Sequence, residues 1–321
     1  MRRVTGLVAT ALGTFLIVSA LFTRFSIADQ AIKFPLDEHT ITTMSASGVS
    51  YFNGGLLQEL TGVTMTDTST TEGDVASGSS STAVWNNFSY IYDRTNDLTY
   101  DYSLQRLAFD RRSGELVDCC GANVNARKVR FSGLGSFWPF GARKTTYQIF
   151  DTTLMKPHPI AYTGTATVDG LATYKYVEAV APTQIGTQQL PGSLVGLLDE
   201  ATVTLGEFYS GTTTEYVDPI SGAPVSVTQA KHLYLADSSG KQVLNLLKAT
   251  FVTTPASVAS AVHTAKTDDA KISVVTLILP ATMGLAGIIL LVIGVLMART
   301  RPESEYEDFA TAGYPGGQVP V

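Results

Sequence analysis

Two long apolar runs frame the chain, and the residues between them alternate between polar and apolar. The runs are Val4–Phe22 and Ile272–Ala298, and neither contains a charged residue. A helix needs about 20 apolar residues to cross the hydrocarbon core of a bilayer, so each run is long enough to span it. Pro280 lies inside the second run, where a membrane helix tolerates it. We therefore predict transmembrane helices at residues 1–23 and 272–298.

The first run has a second interpretation as a secretory signal peptide. Arg2 and Arg3 precede it, and Val18 and Ala20 are small residues that suit a cleavage site. The apolar core of a signal peptide is usually about 7–15 residues long, and this run is longer. The pattern favours an uncleaved anchor, and both interpretations place the following residues on the same side of the membrane.

Arginine residues near the ends of the runs predict the orientation of the chain. Arg2 and Arg3 precede the first run, and Arg299 and Arg301 follow the second. Lys and Arg concentrate on the cytoplasmic side of membrane proteins. We predict a protein of the plasma membrane with both termini in the cytoplasm and residues 24–271 outside it. The last segment, 299–321, is polar, acidic and rich in Gly and Pro, which predicts a disordered cytoplasmic tail.

Alternation with period two between the runs predicts β-strands. In YTGTATVDGLATYKYVEAV, two alternating stretches flank Asp169-Gly170, a dipeptide typical of short hairpins. Further turns are predicted at Ser113-Gly114, Ser221-Gly222 and Ser238–Gly240. The pattern predicts a mainly β ectodomain of antiparallel sheets, packed as a sandwich or an open barrel with few helices, between the two transmembrane helices.

Two segments of the outer region depart from this alternation. Thr254 followed by Pro255 is a typical helix start, with a capping residue before a proline of the first turn. Residues 64–84 are rich in Ser, Thr and Gly, which we interpret as a flexible exposed loop.

Cys119 and Cys120 are adjacent, and the sequence contains no other cysteine. Disulfides persist on an oxidising side of the membrane, so the two cysteines pair with each other, stay reduced or bridge two chains. A bond between adjacent cysteines closes a small ring, which we interpret as a local clamp at a strand end. A redox switch is an alternative, because strained disulfides are more easily reduced. No histidine lies nearby, which disfavours a zinc site.

The sequence contains none of the common catalytic or cofactor-binding motifs. The four histidines form no i, i+4 pair, and H-E-x-x-H, G-x-S-x-G, the P-loop and the dinucleotide fingerprint are absent from it. We therefore predict a protein that is not an enzyme and needs no metal or cofactor. An extracytoplasmic location excludes nucleic acid as a partner.

One window of the outer region is basic, although the chain has a net charge of -6. Residues 106–144 contain eight cations against three acids, together with several large aromatic side chains. Cations beside aromatic rings suit anionic amphiphiles such as lipid head groups and acidic glycans. The alternative is a solvated strand face above an aromatic core. The candidate residues are Arg127, Lys128, Arg130, Arg143 and Lys144 for an anionic head, and Phe131, Phe137, Trp138 and Phe140 for an apolar part.

This window and the hairpin after it contain Trp138-Pro139-Phe140, Lys144–Tyr147, Asp151 and Gly170–Tyr174, and two apolar spans flank the long outer domain. In these motifs and this layout, the chain resembles the actinobacterial PorA-like envelope family. The resemblance implies an envelope protein and names no catalytic residue. A porin crosses the membrane as a closed barrel with an apolar outer band, which these Thr- and Ser-rich strands do not show.

Three functions remain compatible with the sequence. The preferred one is binding or handling of an anionic envelope lipid or glycolipid by the outer domain. The second is a scaffold that contacts other envelope proteins. The third is a porin-like pore.

Overall fold

The chain forms two compact units in the computed structural model, which describes residues 2–135, 137–196 and 200–299. One unit comprises Met1–Asp29 and Val274–Val321, and the other comprises Gln30–Ser273. The predicted tail lies outside the described residues beyond Arg299.

The second unit is a β domain built on one antiparallel sheet of eleven strands. The strands are β1 His39–Asn53, β2 Gln58–Gly73, β3 Thr82–Asp93, β4 Leu98–Asp110, β5 Asn123–Val124, β6 Tyr147–Asp151, β7 Lys156–Val168, β8 Leu171–Leu190, β9 Val203–Val217, β10 Pro224–Ala236 and β11 Gln242–Thr253.

The first and last strands of the domain are neighbours in the middle of the sheet. The order is β5-β4-β3-β2-β1-β11-β10-β9-β8-β7-β6, so that consecutive strands pair and β1 also pairs with β11. The chain therefore enters and leaves the sheet at the same end. The predicted fold class is confirmed, and the single sheet is a half-barrel rather than a sandwich.

The segment between β5 and β6 connects the two edges of the sheet. Phe109 pairs with Leu116, Glu115 pairs with Leu134, and Leu134 pairs with Ile149 of β6. The Leu134 amide donates to Gln148, and the Phe150 amide donates to the Leu134 carbonyl at 2.8 Å. These bonds fix the segment that carries all nine candidate ligand-binding residues.

Residues 64–84 are mostly strand, so the prediction of a flexible loop there is wrong. The strand β2 continues to Gly73, and β3 begins at Thr82. The polar residues of β2 find partners on β3: Asn87 donates to the Ser69 and Thr71 hydroxyls, at 2.7 and 2.9 Å. β-branched threonine also suits a strand, and the paired hydroxyls remove the cost of a polar strand face.

Aromatic and aliphatic side chains fill the buried face of the sheet in three main clusters. Each cluster joins strands to segments distant in sequence, which is what holds the half-barrel together. Their central members are Phe34, Trp85 and Phe109 in the first, Tyr51, Met65 and Phe251 in the second, and Trp138, Ile160 and Tyr176 in the third.

The helical elements are α1 Arg2–Phe22, α2 Ala28–Ala31, α3 Pro255–Ser273 and α4 Leu279–Arg299. The predicted helix start is confirmed, because α3 begins at Pro255 and the Val258 amide donates to the Thr254 carbonyl. Val262 and Ala265 of α3 are buried against the sheet.

Two helical stretches are long and apolar enough to cross a membrane, Arg3–Ile27 and Pro255–Arg299. The first unit contains α1 from the first stretch and α4 from the second stretch, whereas α3 is part of the β domain. α1 and α4 pack antiparallel through glycines: Gly6 meets Gly294, and Gly13 meets Gly287. Small residues allow such close backbone approach between membrane helices.

We expect Gly13→Ile to weaken the pairing of these helices. A β-carbon at Gly13 would lie 2.6 Å from the Leu291 amide nitrogen, so the backbones must separate. Overpacking of this kind costs about 1–3 kcal/mol. The measurement is the thermal midpoint of helix unfolding in detergent, followed by circular dichroism.

Gly284→Ile is the matched control for this prediction. A β-carbon at Gly284 would meet only the Ala20 side chain at 3.9 Å, an ordinary contact. Equal shifts of the midpoint in both variants would contradict close packing at Gly13.

Candidate functional site

The basic window does not form one mixed surface of cations and aromatic rings. Phe131 is 5% exposed and Trp138 is 1% exposed, and both belong to core clusters. Phe137 and Phe140 are half-buried and contact Phe34, with ring centroids 5.7 and 4.6 Å away. The structure therefore places the four predicted aromatic residues in or against the core and does not present them with the cations.

The first group of predicted cations is exposed on a fixed backbone. Arg127, Lys128 and Arg130 point outward, whereas Val129 and Phe131 pack on the core. The Arg127 amide donates to Val124, and the Phe131 amide donates to the Asp118 carboxylate at 2.7 Å. Among the described residues these three cations form no ion pair.

Tyrosines of the neighbouring strands hydrogen-bond to the backbone that carries the second group of cations, Arg143 and Lys144. The Arg143 amide donates to the Tyr147 hydroxyl at 2.8 Å, and the Tyr176 hydroxyl donates to the Arg143 carbonyl at 2.7 Å. The Lys144 ammonium lies 5.4 Å from the centroid of the Tyr174 ring. Both side chains are exposed, so the anchored backbone presents two further positive charges to solvent.

We call residues 125–146, which join β5 to β6, the closing segment. An open cleft lies between this segment, the β4–β5 connection and β6. Its volume is about 300 Å³, at the lower end of the range for small-molecule sites. It has a mixed lining, with hydroxyl, amide and carboxylate groups beside two apolar residues. The lining residues are Ser113, Glu115, Gly133, Leu134, Pro139, Thr146, Tyr147 and Gln148. Such a cleft suits a polar head group better than an acyl chain.

Trp138 connects this segment to the sheet. Its ring stacks on Tyr176 with centroids 3.9 Å apart, and its Nε1 donates to the Glu215 carboxylate at 2.8 Å. Burial raises the pKa of Glu215, while the bond from Trp138 opposes that shift. Gly222 fits against this segment only because it has no side chain, since a β-carbon would lie 2.2 Å from the Trp138 carbonyl oxygen.

The buried face also carries an acidic group that the sequence analysis missed. Glu178 is 5% exposed, and its carboxylate lies 3.1 Å from Nδ1 of His158. Burial raises the pKa of Glu178 to about 7, with the charges of Asp151 and Glu215 adding to the shift. Strand alternation places Glu178 on a face, but the sequence does not reveal which face is buried.

The adjacent cysteines lie at the base of the loop that carries the first cations. Cys119 and Cys120 form a disulfide within a turn, and Cys120 has a positive φ of 58°. Arg106 donates to the Cys120 carbonyl at 2.9 Å and pairs with Asp74 at 2.8 Å. Hydrogen bonds from Arg106 and Ser77 hold the pKa of Asp74 down to about 2.

Comparison with known proteins agrees with the resemblance in the sequence. A porin PorA of Corynebacterium amycolatum is 23% identical over 169 residues, which cover 45% of this chain and 42% of that protein. The match therefore spans less than half the length of this relative. The model of the family described as Porin PorA matches residues 5–296, nearly all of the described chain. The chain belongs to the Porin PorA family of membrane proteins.

Proposed function

We propose that this membrane protein of the cell envelope binds the anionic head of an envelope lipid or glycolipid with its β domain. The role is one of binding and not of catalysis. The observation that carries it is the set of exposed cations on an anchored backbone, in a chain of net charge -6. The acyl chains of such a ligand remain in the bilayer in this proposal.

Electrostatics favours an anionic partner at this surface. Arg127, Lys128 and Arg130 have no acidic partner among the described residues, so their charges are available to a ligand. Each basic residue near an anionic membrane surface contributes about 1 kcal/mol to binding. Charge-assisted hydrogen bonds to phosphate or carboxylate add strength and direction.

The buried aromatic residues position the cations in this proposal. Phe131 contacts Phe150 of β6 with centroids 4.8 Å apart, which anchors the backbone directly after Arg130. Trp138 anchors the segment before Arg143 in the same way. A pre-ordered loop loses less conformational entropy on binding, so the core packing supports affinity without touching the ligand.

The anchor of this protein is, in our proposal, an uncleaved hairpin of two membrane helices. The close contacts of Gly6 and Gly13 with α4 support retention of the first helix. An antiparallel pair places both chain ends on one side of the membrane, and the arginines beyond the two runs suit the cytoplasmic side.

Head-group binding is tested by mixing the full chain with vesicles of defined composition. The purified chain in detergent is mixed with preformed vesicles of phosphatidylglycerol in phosphatidylcholine, or of phosphatidylcholine alone, and competed with soluble glycerol phosphate. Because the helices insert in any bilayer, the readout is quenching of head-group-labelled lipid by a thiol-reactive probe attached at Ser132→Cys, an exposed position beside the loop, with the native Cys119–Cys120 disulfide kept intact. We expect proximity to anionic lipid that falls steeply with salt.

A charge-matched pair of variants separates site binding from general attraction. In the same probe background, Arg127→Ser with Arg130→Ser should reduce the affinity for anionic lipid by about thirtyfold, since two contacts of about 1 kcal/mol each are lost. Lys156→Ser with Lys241→Ser removes two exposed charges of the β domain that are not candidate residues, and should change the affinity little. An equal response in both pairs would contradict a site, and no signal in the probe-bearing parent would favour the scaffold role.

A pore is the second candidate, and it rests on the polar residues of the buried face. Asp67, Ser69 and Thr71 share that face with Met65, and the curated relative is named a porin. The opposite face of β2 carries Thr66, and threonine continues at alternate positions, which does not form an apolar band. Ion conductance by the purified full chain in a planar bilayer would favour this candidate.

A further inference from the structure

We propose that the Cys119–Cys120 disulfide controls how the domain binds its anionic ligand. Opening of the bond by a dithiol reductant loosens the loop that carries Arg127, Lys128 and Arg130, and lowers affinity. This inference rests on the proposed function and adds its regulation. Its basis is the position of the bond between the two anchors of that loop.

The disulfide holds a turn whose backbone is unusual for cysteine. Cys120 and the following Gly121 both have positive φ, at 58° and 76°. The left-handed conformation is unfavourable for a residue with a β-carbon. The Cys119 amide donates to Val117, and the Ala122 amide donates to the Cys119 carbonyl, so the bonded pair closes the turn from both sides.

Residues in or next to this turn form hydrogen bonds that fix both ends of the basic loop, residues 127–130. On one side, the Asp118 carboxylate accepts from the Phe131 amide, directly after Arg130. On the other side, Asn123 donates to the Gly121 carbonyl and accepts from the Ala126 amide, directly before Arg127. A change in the backbone at Cys119 and Cys120 therefore reaches both ends of the loop.

Arg106 ties the turn to the rest of the sheet. Its Nε donates to the Cys120 carbonyl, and its guanidinium also contacts Asp74, Asn86 and Ser77 at 2.8–3.0 Å. Arg106 is therefore held in place by these three residues, and a change in the turn would shift the Cys120 carbonyl relative to its guanidinium. Release of Cys120 from its left-handed conformation would rotate the carbonyl that Arg106 holds.

The chemistry is ordinary thiol–disulfide exchange at an accessible bond. Cys120 is exposed and Cys119 is half-buried. A thiolate of the dithiol attacks the Cys120 sulfur, and Cys119 leaves as a thiolate that takes a proton. The second thiol of the reductant then attacks the mixed disulfide, releases Cys120 and leaves the reductant as a disulfide. Two electrons pass to the protein, which ends as a dithiol.

The test compares the oxidised and reduced full chain by ligand affinity and by amide hydrogen exchange. No other cysteine exists in the native chain, so dithiothreitol acts on this bond alone. The affinity of the full chain in detergent for soluble dihexanoyl phosphatidylglycerol should fall by at least about fivefold on reduction, the lower end of ordinary coupling between sites. Amide exchange at Phe131 should rise.

The Cys119→Ser, Cys120→Ser chain is the control. It should bind as the reduced chain does and ignore dithiothreitol. If the oxidised chain binds and reduction changes neither affinity nor exchange, the regulation is overturned and the proposed function stands. If the oxidised chain does not bind the soluble anionic lipid at all, the proposed function fails, and the regulation fails with it.

Discussion

Replacing Trp138 by alanine is expected to lower the free energy of unfolding of the β domain by about 3–5 kcal/mol, the usual cost of removing a buried aromatic side chain. The ring is 1% exposed and stacks on Tyr176, so its loss leaves a cavity between the closing segment and the sheet. It also leaves the buried Glu215 carboxylate without its indole donor. Denaturant unfolding of the full chain in detergent, followed by strand circular dichroism, measures this change.

Two further variants separate packing from hydrogen bonding at Trp138. Trp138→Phe keeps most of the apolar contact and removes the donor to Glu215, so we expect a smaller loss of about 1–3 kcal/mol. Tyr102→Ala removes a ring that is 63% exposed and should change stability little. Equal losses for Trp138→Ala and Tyr102→Ala would contradict the role of Trp138 as the connection between the closing segment and the sheet.

The stability of the β domain is expected to fall as pH rises from 5 to 8. Burial raises the pKa of Glu178 from 4.5 to about 7 in the folded protein. The folded state therefore binds this proton more tightly than the unfolded state. The stabilisation is complete below pH 4.5 and is lost as pH rises through about 7. At about 1.4 kcal/mol per pKa unit, this group alone changes stability by about 2–3 kcal/mol over that window.

Glu178→Gln tests whether this group is responsible. The amide does not ionise, so the variant should lack the part of the decline between pH 5 and 8 that Glu178 contributes. Glu72→Gln changes a side chain that is 66% exposed and should keep the decline of the parent chain. The prediction is wrong if the two variants have the same pH profile.

Burial also raises the pKa values of Glu215 and Asp67, so these two carboxyl groups add to the decline in the same direction. A further set of carboxyl groups acts at lower pH. The pKa of Asp74 is held down to about 2 by Arg106, and the pKa values of Asp93 and Asp110 are lowered by hydrogen bonds that outweigh their burial. Their stabilisation is present above pH 4 and is lost as pH falls further. The domain should therefore be most stable in mildly acidic solution.

The helices and the hairpins could be predicted from the sequence because their signals are local. Uncharged runs define the two apolar helices, and Asp169-Gly170 forms the expected turn between β7 and β8. The pairing of β1 with β11 could not be predicted, because it joins residues about 200 positions apart and depends on how the whole sheet curves. Residues 64–84 show the same limit, since the strand character of Ser69 and Thr71 depends on hydroxyl partners on β3.

The candidate site was predicted in part, for a similar reason. Charge is visible in sequence, and Arg127, Lys128 and Arg130 are exposed as expected of a binding surface. The aromatic residues are core because Phe34 and Tyr176, from distant segments, reach them. A pattern within one window does not contain those partners. Glu178 was missed because its burial depends on the same long-range packing.

Native mass spectrometry of the full chain, released from its own envelope in mild detergent, tests the central claim most directly. We predict a bound anionic lipid or glycolipid in the parent chain, retained in the Lys156→Ser, Lys241→Ser control and lost when Arg127, Lys128 and Arg130 become serine. The intact mass should also include residues 1–23. A parent chain that carries no lipid, or a bound lipid that persists in the triple variant, would contradict binding by these cations.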